Sequence, residues 1–116
     1  MSIRELEISV EQVAAVTVVR VAGPVDSASV DTFRTQLNPI CSQPGARVLL
    51  DCTDLTYLNS TSIGLLMKFH RGLLVSRGKL ALCAVNTKLV RTLELLQIGK
   101  TLQMYATREE ALAAMA

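Results

Sequence analysis

The 116-residue sequence has few aromatic residues and no concentrated charge, and these shortages exclude several classes of protein. It contains two tyrosines, two phenylalanines and no tryptophan, and none of them is interleaved with a basic cluster. Twelve basic residues against ten acidic ones leave a formal charge of +2 without a block of like charges. Base-stacking platforms and long basic patches are therefore both missing. We expect no nucleic-acid partner.

Long apolar runs and paired cysteines are also lacking. The nearest approach to a membrane span is the uncharged stretch 12–19, which falls well short of the required roughly 18 to 20 residues. Charged residues near the N-terminus interrupt the apolar run that a signal peptide needs. Cys41, Cys52 and Cys83 form no close-spaced pair, so neither a disulfide framework nor a zinc site is predicted. We expect a cytoplasmic protein without membrane insertion, with Cys52 and Cys83 buried in strands.

Half of the residues are apolar, and they fall into alternating segments that predict one domain over residues 1–116. Periodicity and turn residues predict strands at 3–10, 15–22, 47–53, 79–85 and 102–106. They predict helices at 27–40, from the stretch 58–66 to about residue 76, at 88–98 after a cap at 86–87, and at 107–116. Gly23-Pro24 is expected to stop the second strand, Asn38-Pro39 to end the first helix, and residues 54–57 to form a connection.

The resulting order, β-β-α-β-α-β-α-β-α, is typical of an α/β fold. Consecutive parallel strands need a crossover connection, and helices must cover the sheet they cross. We therefore expect a single domain with a mixed, mostly parallel β-sheet covered by about four helices.

Four small polar residues, Asn59, Ser60, Thr61 and Ser62, stand at the start of the second predicted helix. All four can cap a helix, although a helix start needs only one such residue. In one interpretation Asn59 or Ser60 is the cap and the others fill an exposed first turn. In the other, a hydroxyl at this end carries or contacts a phosphate, because a helix N-terminus favours negative charge. The pattern alone leaves both interpretations open.

A resemblance to a known family bears on this choice. The stretch VLLDCTDLTYLNSTSIGLLM, residues 48–67, resembles the signature of the STAS domain family, specifically its bacterial anti-sigma factor antagonists. That signature is a buried strand ending in Asp, a turn, an aromatic or apolar pair, Asp-Ser-Ser-Gly-Leu-Gly and an apolar helix. Residues 23–26 are similar to the family's Gly-x-Leu-Asp turn, and residues 89–100 to its third helix. The sequence departs from the signature at Asn59, which replaces the acidic residue, and at Ser62, which replaces the first glycine.

The resemblance implies a phosphorylatable switch that is not an enzyme. In the family, a serine kinase of the histidine-kinase-like ATPase type is also the anti-sigma factor, and it phosphorylates the hydroxyl residue that is Ser60 by position. Thr61 and Ser62 are the second choices. The unphosphorylated protein binds the kinase, and a serine phosphatase resets the phosphorylated one; no cofactor or metal is implied. The implied partner-binding residues are Asp26, Asn59, Ser60, Thr61, Ser62, Ile63 and Leu65.

The second predicted helix also carries a broad apolar arc. At about 100° per residue, the arc contains Ile63, Leu66, Met67, Phe69, Leu73 and Leu74. Leu65 and Val75 fall outside it and are candidates to face a partner. His70 lies inside the arc without an obvious Ser-Asp set, and we interpret it as a packing residue rather than a catalyst.

Two other functions compatible with the resemblance stay open. One is a STAS subunit that acts as a structural clamp in an ABC-type lipid transport complex, where the Ser60 hydroxyl contacts a partner without being phosphorylated. The other is a STAS domain that binds a small ligand or nucleotide, against which the lack of a recognisable phosphate loop counts.

Overall fold

The computed structural model describes residues 5–98 and 101–115, and its centre is a mixed β-sheet. The strands are β1 (Glu7–Val13), β2 (Val16–Val25), β3 (Arg47–Asp51), β4 (Leu55–Leu58), β5 (Lys79–Cys83) and β6 (Gln103–Tyr105). The helices are α1 (Val30–Cys41), α2 (Ser60–Val75), α3 (Thr87–Leu95) and α4 (Arg108–Met115). The strands lie in the order β1-β2-β3-β5-β6, with β4 paired to the end of β2. Among these strands, only β1 and β2 pair antiparallel, which confirms the predicted α/β class.

Side chains that alternate along the central strands divide the core between the two faces of the sheet. Val48 and Leu50 of β3 belong to the larger cluster, together with buried residues of α1, α2 and α3. Leu49 of the same strand belongs to the smaller cluster, which includes Ala111 and Met115 of α4. Strand β3 is therefore buried on both faces, as its uninterrupted apolar run predicts.

The first strand differs from its prediction. It begins at Glu7 and continues to Val13, whereas residues 3–10 were expected, and Ile3 lies outside the described residues. Register explains the shift, because Val13 pairs with Val16 across a two-residue turn in which Ala14 has a φ of 53°. Val10 is 51% exposed, although Ile8, on the same face of β1, packs against the main core.

The prediction that Gly23-Pro24 stops β2 is also wrong, because the strand continues to Val25. Gly23 adopts a φ of 90°, and the register shifts between it and Pro24. Strand β2 pairs with β3 through residues 17–20 and with β4 through residues 23–25. The predicted connection at 54–57 is therefore largely strand β4, which gives the observed order one strand more than was expected.

The first helix continues past its predicted end at Asn38-Pro39. Pro39 lies inside α1, which ends at Cys41, a residue buried in the main core; the proline removes only the N–H bond of its own position. At the end of α2, Arg77 rather than a glycine takes the left-handed conformation, with a φ of 64°. Gly78 is required for another reason, since a Cβ there would lie 2.4 Å from the carbonyl oxygen of Ala46.

Two leucines near helix ends are exposed. Leu74, which belongs to the predicted apolar arc, is 55% exposed because it lies at the edge of the arc in the last turn of α2. Leu96, within the predicted helix 88–98, is also 55% exposed. Helix α3 ends at Leu95, so Leu96 has left the helical repeat, and Gly99 after it lies outside the described residues.

The three cysteines are buried thiols; Cys83 lies in strand β5 as predicted, whereas Cys52 follows directly after the end of β3 at Asp51. These two side chains belong to the clusters on opposite faces of the sheet, which keeps them apart. Burial raises the pKa of Cys83 to about 11 and that of Cys41 to about 12, and it also raises the pKa of Cys52. Protonated thiols in these positions are packing residues.

Candidate functional site at the start of helix α2

Asn59 is the cap of α2. Its backbone is extended, and its side-chain Oδ1 accepts a hydrogen bond from the backbone N–H of Ser62 at 2.8 Å. The Ser62 hydroxyl donates back to the carbonyl oxygen of Asn59 at 2.7 Å. Asparagine thus performs the capping that the family's acidic residue is expected to perform, and the helix starts where the sequence predicts.

The remaining hydroxyls of the motif have different surroundings. Ser62 is completely buried, so its hydroxyl is inaccessible to another protein in this conformation. Ser60 and Thr61 are exposed in the first turn of α2. Within residues 5–98 and 101–115, neither of their hydroxyls forms a side-chain hydrogen bond. The four polar residues therefore divide into a capping pair, Asn59 and Ser62, and a free pair, Ser60 and Thr61.

Asp26 lies at the same edge of the sheet as this helix start. Val25 pairs with Leu58 in parallel strands, and the N–H of Asn59 donates to the carbonyl oxygen of Val25 at 2.9 Å. The residues that follow the two strands, Asp26 and Asn59, are therefore held side by side. Oδ1 of Asp26 accepts from the N–H groups of Ala28 and Ser29 at 3.0 and 3.1 Å, so this carboxylate also shapes the turn before α1.

A groove of about 560 Å³ runs between the starts of α2 and α3. Its lining includes Ser60, Ile63 and the half-exposed Tyr57, and Lys88 is the only charged residue among those that form it. Asn86 fixes the position of α3 by capping Leu89 N–H at 2.9 Å and donating from Nδ2 to the carbonyl oxygen of Leu55 at 3.1 Å. Neither Lys88 nor Tyr57 was among the predicted site residues.

The apolar residues that were predicted to meet a partner have different surroundings. Ile63 is buried and, like Ser60, lines the groove. Leu65 is half-buried against the main core and lines a second groove, between α1 and α2. Val75 is 87% exposed but lies at the opposite end of α2, about 22 Å from Ser60. The structure therefore gathers Asp26, Asn59, Ser60, Thr61 and Ile63 at the start of α2, with Leu65 one helical turn beyond Thr61 and Val75 at the far end of the helix.

His70 is buried on the core side of α2, as its position in the arc predicts. In the part of the chain that the structure describes, neither ring nitrogen has a hydrogen-bond partner. Burial lowers the pKa of His70, and the positive charge of Arg71 lowers it further. The imidazole is therefore held in its neutral form.

Clusters of metal-ligating side chains and membrane-spanning helices are both absent from the described residues. Among residues 5–98 and 101–115, no group of three or more His, Cys, Asp or Glu side chains is arranged to hold a metal ion. None of the helices described is both long enough and apolar enough to cross a membrane.

Comparison with known proteins identifies the family. A model of the STAS domain matches residues 7–111. The chain belongs to the STAS domain family. This confirms the resemblance seen in residues 48–67, and the STAS match includes both departures from the signature, Asn59 and Ser62.

Several relatives of this STAS chain are named for anti-sigma factors. The anti-sigma F factor antagonist of Paenibacillus polymyxa is 25% identical over 108 residues, which cover 92% of each chain. The crystal structure of an anti-sigma factor antagonist from Mycobacterium paratuberculosis has a TM-score of 0.88 at 22% identity, covering 99% of this chain and 98% of the other. The phosphorylated form of the Bacillus cell fate determinant SpoIIAA has a TM-score of 0.73 at 21% identity, covering 95% and 100%. These structures share the fold observed here.

Proposed function

We propose that this STAS protein is an anti-sigma factor antagonist that works by partner switching in the cytoplasm. When unphosphorylated, it binds an anti-sigma serine kinase of the histidine-kinase-like ATPase type, which then releases a sigma factor. Phosphorylation of Ser60 by that kinase ends the binding, and a serine phosphatase restores it. The observation that carries the proposal is the exposed Ser60 hydroxyl in the first turn of α2, which forms no side-chain hydrogen bond to the described residues.

The division of work within the polar motif supports Ser60 as the acceptor. Asn59 and Ser62 form the capping hydrogen bonds at the start of the helix, and the Ser60 hydroxyl takes part in neither of them. Phosphorylation of Ser60 therefore breaks no capping hydrogen bond. Transfer of the γ-phosphoryl group of ATP to this oxygen forms an O–P bond, releases ADP and leaves the capping bonds intact. Thr61 is exposed as well and is the second candidate, while the burial of Ser62 disfavours it.

The names of the relatives support an anti-sigma factor as the partner. The Paenibacillus relative, matched over nearly its whole length, is an anti-sigma F factor antagonist, and the SpoIIAA structure is of a phosphorylated form. A protein with this fold and length therefore accommodates both the role and the modification. Transferred to this chain, the partner-binding surface consists of Asp26, Asn59, Ser60, Thr61 and Ile63, with Leu65 at its margin.

Electrostatics explain how one phosphate could end the binding. A phosphoserine carries about −1.5 to −2 charges at neutral pH, and Ser60 lies in the middle of the proposed surface. A partner that covers this residue must desolvate the phosphate or leave a gap around it, and either lowers its affinity. Because the capping pair is unaffected, we expect the phosphorylated chain to keep its fold.

The proposal is tested by mapping the phosphate. The purified protein is incubated with ATP and, in turn, each candidate anti-sigma kinase of its source organism, and the product is analysed by mass spectrometry. We expect a single phosphoryl group on Ser60 that is lost in Ser60→Ala and kept in the matched control Thr61→Ala. A phosphate on Thr61 would move the acceptor by one residue. If no kinase modifies the protein, the clamp in an ABC-type lipid transport complex becomes the better account.

A further inference from the structure

The groove beside Ser60 contains one charged side chain. Lys88, the second residue of α3, lines this groove together with Ser60, while its other lining residues are uncharged. Both residues are anchored to the same strand, because Ser60 follows the end of β4 and Asn86 ties the start of α3 to Leu55 of β4. Lys88 and Ser60 therefore line one groove from two helix starts that are both tied to β4.

The charge pattern around Lys88 leaves its ammonium group available. Residues 55–93 contain six basic residues and no acidic one: Lys68, Arg71, Arg77, Lys79, Lys88 and Arg91. In the part of the chain that the structure describes, none of the ion pairs includes Lys88. Within the described residues, Lys88 is thus a charged side chain of the groove without an ion-pair partner, and it can pair with an added anion.

We propose that Lys88 pairs with the phosphate on phosphorylated Ser60 and holds it in this groove. The pairing rests on the proposed phosphorylation of Ser60. An ammonium group neutralises part of the phosphate's charge, and the apolar walls formed by Leu58, Ile63 and Leu89 reduce the screening of the pair by water. The phosphate then fills the mouth of the groove, so the modified protein differs from the unmodified one in shape as well as in charge.

Other charged groups near Ser60 also shift the second pKa of a phosphate on this residue, and the direction of each shift follows from the sign of the charge. The topology brings the carboxylate of Asp26 to the same edge of the sheet, and Glu5 lines a pocket together with Asp26; negative charge there raises the second pKa of a phosphate on Ser60. Asn59, standing where the family has an acidic residue, adds no charge. Lys88 lowers the same pKa, because a nearby cation favours the dianion. Asp26 is unchanged in every variant compared below, so differences in the phosphate's second pKa between these variants are due to the lysine.

The test uses protein with phosphoserine installed at position 60 by genetic encoding, so that no kinase is needed. The second pKa of the phosphate, ordinarily about 6, is measured by phosphorus NMR during a pH titration. We expect Lys88→Met to raise this pKa by about 0.5 or more and Lys88→Glu to raise it further. Arg91→Met is the matched control, since it removes one positive charge from the same helix at a residue that does not line the groove; it should change the pKa by less than about 0.2.

Equal pKa values in Lys88→Met and Arg91→Met would overturn the pairing. Both substituted positions, Lys88 and Arg91, are exposed, as is Ser60, and circular dichroism verifies that each variant is folded. The result is independent of the proposed switch. If no kinase modifies Ser60 in the cell, the switch fails while the pKa measurement stands; if the pKa does not respond to Lys88, the pairing fails while the switch stands.

Discussion

Asn59 and Ser62 bind each other through two hydrogen bonds that run in opposite directions. The N–H of Ser62 donates to Oδ1 of Asn59 at 2.8 Å, and the Ser62 hydroxyl donates to the carbonyl oxygen of Asn59 at 2.7 Å. Ser60 and Thr61 lie between these two residues in the chain and take no part in either bond. The structural and functional interpretations of the motif are therefore compatible, because different residues fulfil them.

Replacing the cap should weaken the fold by a predictable amount. Asn59→Ala removes the acceptor for the Ser62 N–H, and we expect the free energy of unfolding to fall by about 1 kcal/mol. Asn59→Asp keeps an acceptor and should stay within a few tenths of a kcal/mol of the wild type. Urea denaturation followed by circular dichroism measures both, with Thr61→Ala as the exposed control. Equal midpoints for the wild type and Asn59→Ala would show that the cap lies elsewhere.

The two serines should differ in their importance for stability. Ser62→Ala deletes a buried hydroxyl and its hydrogen bond to Asn59, and we expect a loss of about 0.5 to 1.5 kcal/mol. Ser60→Ala removes an exposed hydroxyl and should change stability by less than about 0.5 kcal/mol. Thermal or urea unfolding compares the pair directly. A larger loss for Ser60→Ala than for Ser62→Ala would contradict the assignment of structural and free hydroxyls.

Two glycines near the end of α2 should respond to alanine in opposite directions. At Gly72 a Cβ would meet no atom within 4 Å, so Gly72→Ala should stabilise the helix by up to about 1 kcal/mol. At Gly78 the same Cβ would lie 2.4 Å from the Ala46 carbonyl oxygen, and we expect Gly78→Ala to destabilise the protein by about 1 to 3 kcal/mol. Chemical denaturation of the two variants tests this difference. A neutral Gly78→Ala would mean that the loop at Ala46 moves freely.

His70 should make the fold sensitive to mild acid. Burial and Arg71 lower its pKa in the folded chain, whereas the unfolded chain binds a proton near the ordinary pKa of about 6.5. Stability is therefore fully present above about pH 6.5 and is lost as the pH falls, with a slope of at most about 1.4 kcal/mol per pH unit. His70→Gln should flatten the dependence of the unfolding free energy between pH 7 and 5. An unchanged slope in that variant would assign the effect to other groups.

Sequence patterns predicted most of the fold because its elements have strong local signals. The buried run of β3, the cap of α2 and the Thr107 cap of α4, whose hydroxyl accepts the N–H of Glu110 at 3.1 Å, are all short-range features. Strand β4 was missed because it is short and is stabilised by pairing with residues 23–25 of β2, which lie far away in the chain. Local turn propensity suggested an end at Gly23, and long-range pairing overrode it.

The site residues that belong to the motif were predicted. The residue that only the packing of a distant helix brings to the site was missed. Asn59 and Ser60 could be assigned from their places in residues 58–66. Lys88 could not be assigned in this way, because only the packing of α3 against β4 brings it to the groove that Ser60 lines. The absence of acidic residues from 55–93 is the sequence signal that would have drawn attention to this region.

The central claim, that a phosphate on Ser60 ends partner binding, is tested most directly by two dissociation constants. Isothermal titration calorimetry compares the anti-sigma kinase binding to the unmodified chain and to the chain carrying phosphoserine at position 60, with Ser60→Ala as the unmodifiable control. We expect the unmodified chain and Ser60→Ala to bind alike, and the phosphorylated chain to bind about five- to 150-fold more weakly, equivalent to about 1 to 3 kcal/mol. Equal affinity of the phosphorylated and unmodified chains would contradict the account.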